Sequence, residues 1–306
     1  MKQTKKKNVW LVAFLAVGSI PVFGKPFAKG PYLGQTPPGP IAQVFAPGLI
    51  SDTRPHKLEI WPSFSADGNT FCFSRHWYVY ITENTDQGWT VPKRIKSIPD
   101  MSTCCYLSPD ANSIYVNCRY DPAKPYSLYR CMRTPQGWSL PQKMGPPFSS
   151  WGQGAGFSVA ANNSIYFNSN KIPDGQCRFM VAPFVDNTWA QPIQIPVEQG
   201  NLWCCHAGIA PDESFIVFYS IEPGAQGGTP TDLYLTLRGA DGTWTKPRNM
   251  GPRINSRRYH EWGASISPDK KYLFFNRSNG WGGNSHSDSA DIYWVALKEY
   301  LPESHR

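Results

Sequence analysis

The sequence lacks most of the patterns that mark an enzyme or a nucleic-acid binder. There is no Ser nucleophile elbow, no Gly-rich phosphate loop and no acidic calcium loop. None of its six His residues shows a metal-ligand spacing such as His-x-x-x-His, so no metal or other cofactor is expected. Beyond the first two dozen residues no apolar run keeps a period of 3.6, which makes helices scarce. The formal charge of +8 falls to +4 once Lys2, Lys5, Lys6 and Lys7 are set aside. No Lys/Arg block then remains that could neutralise several phosphates together, and nucleic acid is not expected as a partner.

Those four lysines precede an apolar run from Val9 to Phe23, broken only by Gly18, Ser19 and Pro21 and followed by a small-residue site at Val22-x-Gly24. Residues 1–24 therefore read as a secretory signal peptide. The run is short for a membrane span, and no Cys follows it to carry a lipid anchor. The expected location is periplasmic or secreted, with membrane attachment only through an uncleaved signal.

Strand formers and turn formers are abundant instead: 14% aromatic residues, 12 Trp, 26 Gly and 29 Pro. That combination indicates an all-β protein. Trp-x-x-Pro occurs four times, at Trp89/Pro92, Trp138/Pro141, Trp189/Pro192 and Trp244/Pro247, with Trp spacings of 49, 51 and 55 residues. This is the period of propeller blades. A turn followed by an apolar strand stands ahead of each copy, at Ser65-Ala-Asp67-Gly68, Ser108-Pro-Asp110, the degraded Val159-Ala-Ala161-Asn162 and Ala210-Pro-Asp212, and occurs once more after the last copy at Ser267-Pro-Asp269. A third strand follows at Tyr78, Ser127, Phe179, Asp232 and Asp291, and Trp-x-x-Pro then opens a fourth at the sheet edge, where Pro is tolerated.

Five four-stranded antiparallel blades result, the fifth without its own Trp-x-x-Pro. We predict a single five-bladed propeller over residues 59–300, followed by a short tail at 301–306. Residues 25–58 form an extension whose Pro40–Pro47 segment supplies the missing strand and closes the ring. A six-bladed alternative would need Lys25–His56 to form a whole blade, and that segment is short and Pro-rich.

The Ser-Pro-Asp turns, the Asp291-Ile-Tyr293 strand and the Gly-rich Asn279–Gly283 run resemble the TolB-type, WD-repeat-like propeller family of exported bacterial proteins. The resemblance spans roughly residues 55–298 and implies the fold. Its members include scaffolds, ligand-binding modules and a minority of enzymes. Blade 3 departs from the pattern, with Ala161-Asn162 where Asp-Gly is expected.

The repeat frame places candidate site residues. Long links at Arg119–Tyr126, Ser169–Gln176, Ile221–Thr231 and Arg277–Ala290 share one face, the expected binding face. At that end each hairpin sets Glu59 beside Arg75 and Glu261 beside Arg277. Two readings stand: a repeated blade-stabilising ion pair, or a polar mouth that binds a ligand. The Arg partners are expected to lower the carboxylate pKa values. His206 and His260 precede first strands near the same mouth, with His56 close by, and a three-His cluster from different blades is geometrically allowed beside the default of solvated or hydrogen-bonded loop histidines. Cys118 should lie opposite Ser102 to Cys104. A Cys104–Cys118 or Cys105–Cys118 disulfide then requires Cα atoms within about 4.4–6.8 Å, with buried thiols as the alternative. Asp67, Asp110, Asp212 and Asp269 belong to the opposite face as turn caps.

Two functions compete. One is an exported non-catalytic module whose loop face binds a protein or polysaccharide of the cell envelope. The other is a carbohydrate-active hydrolase or lyase working in the central cavity, with Trp61, Trp203 and Trp262 as sugar platforms and Glu59 and Glu261 as acid/base candidates.

Overall fold

The computed structural model describes residues 28–306 apart from 53, 100–101, 119–126, 150–152, 170–176, 198–201, 203–204, 222–230 and 281–288. The signal-peptide reading of residues 1–24 lies outside the described residues.

The repeated turn is built by one local device. Ser65 Oγ donates to Asp67 Oδ1 at 2.5 Å while the same oxygen accepts from Asn69 N at 2.9 Å. The bonds recur at Ser108/Asp110/Asn112 and at Ser267/Asp269/Lys271. The next residue turns left-handed: Gly68 (φ 70), Ala111 (φ 56), Glu213 (φ 61) and Lys270 (φ 58). Blade 3 makes the same turn with Asn163 at φ 67 and Asn162 Oδ1 accepting from Ser164 N, so its copy differs in chemistry and not in shape. These carboxylates cap turns, as their spacing predicts.

Each turn joins the first two strands of a four-stranded antiparallel blade. Blade 1 comprises Glu59–Phe64, Thr70–Arg75, Tyr78–Thr85 and Lys93–Arg94. Blade 2 comprises Ser102–Leu107, Ser113–Cys118, Ser127–Thr134 and Gln142–Lys143. Blade 3 has Gln153–Val159, Ile165–Ser169, Arg178–Ala182 and Ile193–Gln194, and blade 4 has Cys205–Ile209, Phe215–Ile221, Thr231–Leu237 and Arg248–Asn249. Blade 5 contributes His260–Ile266, Tyr272–Ser278 and Ala290–Ala296. First strands touch their neighbours all the way round, blade 5 meeting blade 1. The ring is a five-bladed β-propeller.

Blade 5 takes its fourth strand from the N-terminal segment: Gln43 pairs with Trp294 and Val44 with Tyr293. Phe45 is fully buried behind them, its ring edge-on to Phe71, Phe274 and Trp294, which fastens blade 5 to blade 1. The segment does more than close the ring. Ala28 O and Gly30 O accept from the backbone N and the indole Nε1 of Trp89, so it also ties down the outer edge of blade 1. The Trp-x-x-Pro motif itself differs from expectation. Trp89 pairs with Asn84 at the tip of the third strand, whereas Lys93–Arg94 pair further back with Ile81 and Tyr80. The outer strand is thus broken at the Pro, which has no N–H to donate to the ladder.

Candidate functional site

Every first strand carries a bulge near its loop-bearing end, between Ile60/Ser63, Ser102/Cys104, Gln153/Phe157, Cys205/Gly208 and Trp262/Ser265. One extra residue at that point, two in blade 3, locally re-aims the strand, and in blades 1 and 4 it brings Trp61 and His206 together. Trp61 (φ 60), His206 (φ 50) and Gly263 (φ 64) occupy the same repeat position in left-handed conformation. The Trp61 ring meets the His206 ring edge-to-face at 4.7 Å and the Trp262 ring at 5.1 Å. Blades 1 and 4 are not neighbours, so the Trp61–His206 contact crosses the axis. Small residues make room for it. A Cβ on Gly156 would lie 1.5 Å from His206 Cδ2, and one on Gly263 3.3 Å from Trp61 Cζ3. A second crossing lies deeper, where Tyr106 of blade 2 hydrogen-bonds Ser265 of blade 5; burial pushes the Tyr106 hydroxyl up to about 12. Trp61 and Trp262 are therefore buried and edge-on within the axis and do not present open faces as platforms. Trp203 lies outside the described residues.

The paired Glu and Arg residues meet as their spacing predicts. Arg75 Nε donates to Glu59 Oε1 at 2.9 Å and Arg277 Nε to Glu261 Oε1 at 2.7 Å. Each Arg also donates Nη2 to a carbonyl of the linker entering its blade, Ile50 O at 2.8 Å and Ile254 O at 2.5 Å. The second carboxylate oxygen accepts from the same linker, through Asp52 N at 3.2 Å and Ser256 N at 3.1 Å. Two ion pairs thus clasp two interblade linkers. The expectation of lowered pKa values is corrected, since burial outweighs the Arg charge and raises Glu59 and Glu261 to about 7. Asp291, close enough to Glu59 to repel it, is raised by burial to about 6.

Beside the blade 1 clasp opens a cavity of about 470 Å³ lined by Gly48 to Asp52, Arg54, Lys57, Glu59, Arg75 and His76. Arg54 is held bidentately by Asp52, at 2.7 and 2.6 Å, and keeps that carboxyl at about 2. Lys57 makes no ion pair among the described residues. His76 and Trp77 are both left-handed (φ 46 and 67) and complete the turn between the second and third strands in two residues, whereas the other four blades use long links that fall largely outside the described residues. Burial, then the charges of Lys57 and Arg75, lower the His76 pKa. Of its three permanent cations, Arg54 is matched by Asp52 and Arg75 by Glu59, which leaves Lys57 as the cation without a carboxylate partner among the described residues. Neither Lys57 nor His76 belongs to a repeated motif, and for that reason neither stood out in the sequence.

The remaining candidates fall elsewhere. His260 Nδ1 accepts from Thr231 N at 3.3 Å, and His56 is exposed. No group of three metal-ligating side chains occurs among the described residues. The predicted disulfide is corrected: the register sets Cys118 opposite Ser102 and Asn117 opposite Cys104, and Cys104, Cys105 and Cys118 are thiols. Cys105 Sγ lies instead 4.0 Å from Cys72 Sγ of blade 1.

No protein-family model and no curated protein matches this chain. Solved structures do. A TolB structure from Agrobacterium tumefaciens is 15% identical, with TM-score 0.47, covering 75% of this chain and 72% of its own. The β-propeller domain of Cps50 (Swd1) from Myceliophteria thermophila is 10% identical at TM-score 0.42 over 77% and 82%. A puromycin-hydrolyzing peptidase from Mycobacterium tuberculosis is 12% identical at TM-score 0.39, over 72% of this chain and 34% of the peptidase. At these identities the likeness concerns the fold alone.

Proposed function

We propose that this protein is an exported, non-catalytic binding propeller whose loop-bearing mouth takes an acidic polymer of the cell envelope, with an anionic group seated between Lys57, Arg54 and His76. One observation carries the reading: the 470 Å³ cavity brings together an unpaired Lys57 ammonium, two Arg and a His at the rim of a rigid ring. Such a site suits a carboxylate or phosphate group, because a partly enclosed cation pays less for partner exchange than a fully solvated one. The blocked axis supports binding at the mouth over chemistry in the centre, since Trp61, His206 and Trp262 fill the space a central substrate would occupy. The basic apolar leader of residues 1–24 supports export.

A carbohydrate-active enzyme remains the second reading, favoured by Glu59 and Glu261 standing at about 7, a range suited to general acid catalysis. Against it, each carboxylate is buried and has both oxygens engaged by its own Arg and linker. A glycan array carrying acidic and neutral glycans, run beside a reducing-sugar release assay, separates the two. Retention of acidic glycans without turnover is expected; turnover rejects the binding module, and retention of no acidic glycan rejects an acidic polymer as its partner.

A further inference from the structure

Five thiols in the described residues, those of Cys72, Cys104, Cys105, Cys118 and Cys131, are buried. Cys177 and Cys205 differ: both are partly exposed, and they come from different blades. Cys177 stands just ahead of the third strand of blade 3, and Cys205 opens the first strand of blade 4. Register brings their supporting groups together, with Tyr219 directly opposite Cys205. The Cys205 thiol donates to Cys177, the Tyr219 hydroxyl hydrogen-bonds Cys205, and Asn168 Nδ2 donates to Cys177 Sγ at 3.2 Å. Two donors thus converge on one sulfur, from the Cys205 thiol and the Asn168 amide, with the Arg178 charge nearby. That arrangement stabilises a thiolate at Cys177, and its pKa is lowered with the Cys205 hydrogen bond as the main cause.

We infer that Cys177 and Cys205 form a thiol–disulfide exchange site, with Cys177 the attacking sulfur, Cys205 the resolving one and a low-molecular-weight disulfide the co-reactant. The Cys177 thiolate attacks one sulfur of the disulfide, forming a mixed disulfide and releasing one thiolate. That thiolate takes the Cys205 proton. The Cys205 sulfur then attacks Cys177 Sγ, forming the interblade disulfide and expelling the second thiolate, which is protonated by solvent. One small disulfide is reduced to two thiols while two cysteines become one cystine. The inference does not depend on what the mouth binds.

The test uses the full chain, reduced and freed of reductant, incubated with glutathione disulfide near neutral pH, alkylated without reductant and mapped by mass spectrometry. The wild type should gain a Cys177–Cys205 cross-link. Cys205→Ser should stop at a glutathione adduct on Cys177, and Cys177→Ser should leave Cys205 without adduct. A measurement on the wild type alone guards against misfolded variants: iodoacetamide should label Cys177 before Cys72, Cys104, Cys105 and Cys131, and should still do so below the pH at which an ordinary thiol ionises. Labelling of Cys177 no faster than the buried thiols overturns the inference, as does a cross-link from Cys205 to Cys204 in place of Cys177.

Discussion

The rings of Trp61 and His206 meet edge-to-face at 4.7 Å across the propeller axis, although they belong to blades that are not neighbours. The contact depends on glycine in the adjoining first strand, because His206 occupies the volume a Cβ on Gly156 would need. Gly156→Ala should therefore destabilise the ring by about 1–3 kcal/mol through overpacking. Differential scanning calorimetry reads this directly, and an unchanged Tm would mean that the axis is open.

Ring closure makes a second demand. Phe45 is fully buried between the two terminal blades, and Phe45→Ala should cost about 3–5 kcal/mol, as for a large core aromatic. Deleting residues 40–47 should lower the melting temperature further, since Gln43–Val44 would no longer pair with Tyr293 and Trp294. A truncated chain that melts like the full one refutes closure by this strand.

The linker clasps predict a stability effect separable from binding. Arg277→Ala strands the buried Glu261 carboxylate and leaves Ile254 O without its donor. Above about pH 7, where Glu261 is ionised, breaking one partner of such a pair should cost about 3–5 kcal/mol. Denaturant unfolding measures this, and binding of an acidic polymer per folded molecule should not change.

These observations divide what was legible in the sequence from what was not. The blade count, the Ser-x-Asp turns and the Glu–Arg pairs were readable because each depends on residues a few positions apart in a repeating frame. The closing strand was readable because four Trp-x-x-Pro copies served five blades. The axis packing was not, since Trp61 and His206 meet only after the whole ring forms. Nor was the sign of the carboxylate shifts: spacing identifies the Arg partner, while the opposing desolvation depends on how deeply Glu59 and Glu261 are buried. Lys57 and His76 escaped notice because nothing repeats them.

The raised carboxylates give a pH dependence with a definite sign. Glu59 and Glu261 titrate near 7 in the folded chain and near 4.5 when unfolded, so the native state holds protons that the unfolded state has released. Their contribution is fully present below about pH 4.5 and is lost as pH rises through about 7. A shift of this size corresponds to roughly 3–4 kcal/mol per group at most. Chemical denaturation at a series of pH values should show stability falling over that window, and Glu261→Gln should flatten the slope. A wild-type stability that rises across the window would show that the Arg charges outweigh burial.

The central claim, an anion-binding cavity at the seam of blades 5 and 1, is tested most directly by isothermal titration calorimetry of the full-length protein with an acidic polysaccharide, comparing wild type with Lys57→Ala. Loss of one charge-assisted contact should weaken binding about tenfold, roughly 1.4 kcal/mol, and added salt should weaken the wild type toward the variant. Equal affinities for wild type and variant, or equal affinities for acidic and neutral polysaccharides, would contradict it.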